Sequence, residues 1–146
     1  MENKSRTVIL IIFISMIFTC CCEKKQLNNE TPFMAIVKLL SAEQTLNFEE
    51  ARKYIDVNQV YSKYPESRNP EMEWMELLRS NYNLGKDPKF SNSINFYKYN
   101  IKEFISGENA VVSLKSKKSN SHIKEIIYKL LLINDQWTVV SIDYVK

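Results

Sequence analysis

The sequence predicts an α+β domain, and three observations predict it. Apolar residues recur at helical spacing between Thr31 and Gly85, punctuated by helix-capping residues. After Pro88 the texture changes to aromatic and β-branched residues in two-residue alternation. The two patterns follow one another without interleaving. That is the order of N-terminal helices packed on a four-stranded antiparallel sheet, not of helices crossing between parallel strands.

Thr31-Pro32 opens the first helix, because Thr caps and Pro suits the first helical position. Phe33, Ile36, Val37, Leu40 and Gln44 then share an inward face, with Lys38 and Glu43 toward the other side. Asn47, with Glu50 three residues on, opens a second helix in a capping-box-like way. Its inward stripe is Phe48, Ala51, Tyr54 and Ile55. Residues 57–68 read as a loop with a brief turn around Val60. Asn69-Pro70 opens the third helix, and Glu71 and Glu73 suit its positive end. Met72, Met75, Leu78 and Tyr82 line one side of it, with Trp74 and Leu77 beside them, and Gly85 stops it.

The first strand falls within residues 90–107 and pairs with residues 109–117 through the tight turn Ser106-Gly107-Glu108-Asn109. The third strand runs through residues 122–135. Ile126, Tyr128, Leu130 and Leu132 point one way along it, and Ile127, Leu131 and Ile133 the other. Asn134-Asp135-Gln136 turns the chain, and residues 137–146 return as the fourth strand. Strands three and four are apolar on both sides. One side should meet the helices. The other should meet a second copy, a protein partner or the curled edge of the same sheet.

The start of the chain has a different character. Lys4 and Arg6 precede an apolar run that ends in Cys20, Cys21 and Cys22, the only cysteines in the chain. The run is shorter than the ~18–20 residues that span a bilayer and has the length of a signal-peptide core. An uncleaved anchor is the competing reading. Adjacent cysteines lack the spacing of a zinc or redox site, and a disulfide would have no partner elsewhere. Ile17-Phe18-Thr19-Cys20 resembles the lipobox of bacterial lipoproteins, and Phe18-Thr19-Cys20-Cys21 is a second frame. The resemblance implies acylation at Cys20 or Cys21, with Cys20 favoured. The expected organisation is a signal peptide over 1–19, a lipidated Cys and flexible tether over 20–30, and a domain over 31–146. Several acyl chains, at ~0.8 kcal/mol per buried methylene, hold firmly where one would not. The expected location is the bacterial cell envelope, with the domain outside the cytoplasm and membrane lipid as the first partner.

The order of elements also resembles the nuclear transport factor 2-like superfamily. The residues that carry the likeness are "LLSAEQTLNFEEARKYID" and the closing hairpin "IIYKLLLINDQWTVVSIDYVK". The resemblance implies a cone, in which a curved sheet wraps helices round a pocket. Tyr82, Tyr128 and Trp74 are the candidate pocket residues. For a tyrosine the ordinary alternative is a core position with its hydroxyl bonded to backbone.

Chemistry is sparse. The single histidine, His122, lies in a turn or strand start, and Gly85 and Gly107 are isolated, so no phosphate loop is present. Neither a catalytic set, a metal site nor a cofactor is expected. A net charge of +3, spread among acidic residues, argues against nucleic acid as a partner. The basic run from Lys115 to Lys124 suits a solvated hairpin end. The expected function is a membrane-anchored, non-catalytic module that binds a small apolar ligand or a protein. The alternatives are an isomerase- or dehydratase-type enzyme using the cone, and a toxin-neutralising protein. The pocket lining discriminates: an Asp or Glu facing a Tyr or His at ~3 Å across an open cavity favours the enzyme, and a cavity filled by Leu, Ile and Trp excludes it.

Overall fold

Local capping decides where each helix begins. The computed structural model describes residues 30–62, 69–85 and 94–146. Helix α1 spans Pro32–Gln44, and the Thr31 side chain accepts from the Met34 N–H. The sheet adds a second cap, since Glu103 Oε1 accepts from the Phe33 N–H at 2.9 Å. A carboxylate there also meets the positive end of the helix dipole. Helix α2 is Phe48–Ala51, begun by Asn47, whose side chain accepts from the Glu50 N–H. Helix α3 is Val57–Tyr61, begun by Asp56 in the same way through the Gln59 N–H. Helix α4 is Pro70–Leu84, with Asn69 accepting from the Met72 N–H and Gly85 following its end.

Two expectations change here. Residues 57–61 form a short helix rather than a loop, because Asp56 caps them and Val57 and Val60 are buried. On α1 the inward stripe is Pro32, Ala35, Ile36, Leu39 and Ala42, rotated from the expected one. The segment from Pro32 to Leu40 is apolar on nearly every side, so its periodicity carries little direction. The rotation brings Glu43 in line with Ile36 and Leu39 rather than opposite them.

After a 3₁₀ turn at Phe96–Lys98, the chain enters strand β1, Tyr99–Ser106. Strands β2, Asn109–Ser116, β3, Glu125–Ile133, and β4, Gln136–Val145, follow. All neighbours are antiparallel, in the order β1-β2-β3-β4 of an open meander. Gly107 turns the first hairpin at φ 61, a conformation that costs an L-residue ~1–2 kcal/mol. The last hairpin turns on two residues, Asn134 and Asp135, at φ 51 and 63. Two consecutive left-handed residues match the twist of the strands they join, and Asn and Asp tolerate them best after glycine.

A bulge in β4 shapes the inner face. Leu130 pairs with Val139 but Lys129 pairs with Ser141, so Val140 is an extra residue. Before it, Trp137 and Val139 face inward beside Leu132 and Leu130. After it the phase flips, and Ile142 and Tyr144 sit opposite Tyr128 and Ile126. Ser141 and Asp143 go to the outer face, where Asp143 pairs with Lys129 at 3.2 Å. The segment Tyr54–Asp56 closes on β4 beside the bulge: the Val139 N–H donates to the Tyr54 carbonyl and the Asp56 N–H to the Val139 carbonyl. This covers part of an edge that would otherwise be open.

The core lies between this inner face and the helices. It includes Ile36, Leu39, Trp74, Val112, Leu114, Leu130 and Val139. The outer face is more polar than the sequence alternation suggests. Phe104 is 69% exposed there, but its row continues through Val111 and Lys129 to Ser141.

Candidate functional site

The inner face is not filled everywhere. Beyond the bulge, β4 diverges in side-chain phase, and a cavity of about 180 Å³ lies between α1, α3, α4 and the ends of β3 and β4. A volume of roughly 10–15 Å³ already admits a water, so the space suits a small molecule. Leu40, Leu77, Leu78 and Ile142 give it apolar walls. Tyr61, Tyr128 and Tyr144 contribute aromatic ones. Glu43, Gln44 and Asn81 provide polar groups, and Glu43 is the sole formal charge among the described lining residues.

Glu43 is held from behind. The Trp74 indole N–H donates to Glu43 Oε1 at 2.9 Å. Trp74 is itself locked: it is 0% exposed, meets Phe48 edge-on at 5.5 Å, and carries the Arg52 guanidinium over its ring. Arg52 is fixed in turn by Glu71 on α4 and Glu49 on α2. The carboxyl therefore sits in one place on a rigid support. Burial raises its pKa from 4.5 to about 7, against a smaller lowering by the Trp74 hydrogen bond. Tyr128, 2% exposed, has its hydroxyl pushed well above the ordinary range, first by burial and then by Tyr144 and Glu43. It stays protonated, so it is uncharged, and its hydroxyl can donate as well as accept.

The three residues expected at a pocket separate. Tyr128 lines the cavity. Trp74 stands behind it as the support for Glu43 rather than in its lining. Tyr82 is 38% exposed on the last turns of α4 and is not among the lining residues. The acylation candidates Cys20 and Cys21 lie outside the described residues. His122 is exposed.

No family model, no curated protein and no solved structure matches this chain. The site must be read from its own groups. Among the described residues no cluster of His, Cys, Asp and Glu could hold a metal ion, and no helix is long and apolar enough to cross a membrane. A second, more open depression lies over Lys38, Ser41, Thr45, Asn47, Glu50 and Tyr54. Several of its polar groups are already used. Asn47 caps α2, Glu50 pairs with Lys53, and the Thr45 hydroxyl donates to the Ala42 carbonyl.

Glu43 is the residue the sequence reading placed on the wrong side. Charged side chains on a helix are nearly always solvated. The signal that could have found it is spacing: it stands four residues after Leu39 and seven after Ile36.

Proposed function

We propose that this protein is a lipid-anchored domain that binds a small ligand in the Glu43 cavity, with the architecture of a nuclear transport factor 2-like cone. The observation that carries the reading is a half-buried carboxyl in the wall of a cavity, held there by Trp74. Burial of an ionisable group costs stability, and a ligand that engages the group offsets that cost. Helices on one side of a four-stranded antiparallel meander support the cone. The basic start, apolar run and cysteine cluster support the anchor, at Cys20 or Cys21, and a location in a bacterial cell envelope.

The geometry suits a tether. Glu30 pairs with Lys38 at 2.9 Å and accepts from Gln136, so the chain joins the domain near the start of α1 and the β3–β4 turn. The cavity takes Leu40, Glu43 and Gln44 from the other end of α1. With 13 residues, that helix separates the two by roughly 20 Å at 1.5 Å per residue. A chain tethered at its start holds the cavity away from the bilayer.

Metabolic labelling with a fatty acid tests the anchor. The native chain and Cys21→Ser take up label and Cys20→Ser does not. An unlabelled, unprocessed native chain overturns the anchor. A second reading is proton-transfer catalysis, favoured by a carboxyl that titrates near 7 beside a protonated Tyr128 hydroxyl. Exchange of a carbon-bound proton on a bound carbonyl compound, lost in Glu43→Gln, distinguishes it from binding alone.

A further inference from the structure

Resting on the reading of the cavity as a ligand site, we infer that its ligand is a small organic cation, an amine or ammonium compound with an apolar body. The lining has one carboxyl, three tyrosine rings and a set of aliphatic walls, and among the described residues it has no basic group. An anionic ligand would meet Glu43 with no basic group among the described lining residues to offset the repulsion. A neutral apolar ligand would leave the carboxylate desolvated with only the Trp74 N–H, among the described residues, to offset the cost. A cation meets the carboxylate by a charge-assisted hydrogen bond and the tyrosine faces by cation–π attraction. Aromatic rings around an acid are the general means of holding an ammonium group that has lost its water. Leu40, Leu77 and Leu78 then cover the hydrocarbon part.

Position supports the assignment. Glu43 Oε1 is already bonded to Trp74, which fixes the carboxyl plane before a ligand arrives. The charge of Arg52 lies over the Trp74 ring and is bonded to Glu71 and Glu49. It reinforces the support instead of neutralising Glu43. Among the described residues, the titratable groups that share the cavity with Glu43 are Tyr61 from α3, Tyr128 from β3 and Tyr144 from β4, while α4 contributes the uncharged Leu78 and Asn81, with Trp74 behind Glu43. With no cation opposite it among the described residues, Glu43 gives up its proton near pH 7, and a bound ammonium group lowers that value. Binding therefore strengthens as pH rises through about 7 and releases a proton below it.

The test uses the full chain in detergent micelles and three probes of one shape: cyclohexylammonium, cyclohexanol and cyclohexanecarboxylate. Binding is read from NMR shifts of Tyr128 and Ile142. The inference predicts that the ammonium probe binds about tenfold or more tighter than the alcohol at pH 8, and that the carboxylate is weakest. Glu43→Gln loses that preference, while Tyr82→Phe, outside the lining, retains it. Equal binding of ammonium and alcohol at these residues, or an undiminished preference in Glu43→Gln, overturns the cation assignment and leaves the cavity as a ligand site. Absence of any probe-dependent shift at the cavity residues overturns both.

Discussion

Trp74→Ala lowers the free energy of unfolding by about 3–5 kcal/mol, out of the ~5–15 that a domain of this kind has. The ring is fully buried, and its removal leaves a void between α1, α2 and α4 where Phe48 and Arg52 lose their contact with it. It also strips Glu43 of its hydrogen-bond donor. Urea unfolding measures the loss as a fall in midpoint at nearly constant slope. Trp74→Phe separates the two contributions. It keeps most of the packing and loses the N–H, so it costs about 1–2 kcal/mol. A Trp74→Ala loss under 1 kcal/mol would contradict the packing described.

Glu43→Gln has the opposite sign. The carboxyl titrates at about 7 in the folded chain against 4.5 ordinarily. The folded state therefore holds a proton that the unfolded state has released between these values. Stability is highest below pH 4.5 and falls as pH rises toward about 7, above which the half-buried carboxyl is charged. The loss is on the order of 2–3 kcal/mol, after allowing for contact with the cavity. Glutamine has no charge to bury, and its carbonyl can still accept from Trp74. Glu43→Gln removes this pH dependence and is more stable than the native chain at pH 8 by a similar amount. A residue whose neutral isostere is more stable fits a ligand site, where function and stability compete. Parallel urea titrations at pH 5 and pH 8 measure both statements.

These effects were unevenly legible in the sequence. Caps are local chemistry, so Thr31-Pro32, Asn47 and Asn69-Pro70 mark their helices directly. The strand faces of β3 follow from simple alternation, which put Tyr128 inward with Ile126 and Leu130. The α+β layout follows from the separation of the two patterns. The phase of α1 does not. Phe33, Val37 and Leu40 offer as much apolar surface as Ala35, Ile36 and Leu39, and tertiary contact with the sheet decides between them. That undecided phase is why the spacing alone turns Glu43 toward the other side of the helix.

The bulge at Val140 was equally hidden. Nothing in "WTVVSIDYVK" marks an extra residue, yet that residue decides whether Ile142 and Tyr144 or Ser141 and Asp143 face the cavity. The lining of β4 is a property of pairing with β3, not of the strand alone. For Tyr82, spacing from Leu78 suggested an inward place. In the fold the residues from Arg79 to Leu84 are all exposed.

The state of the Glu43 carboxyl decides the account. Its carbon can be followed by NMR as pH is raised on the native chain and on Trp74→Phe. The expected midpoint for the native chain is about 7, moving higher in Trp74→Phe as the indole hydrogen bond is lost. A midpoint at the ordinary 4.5, unchanged by the substitution, would show a solvated side chain and leave the cavity without its defining group.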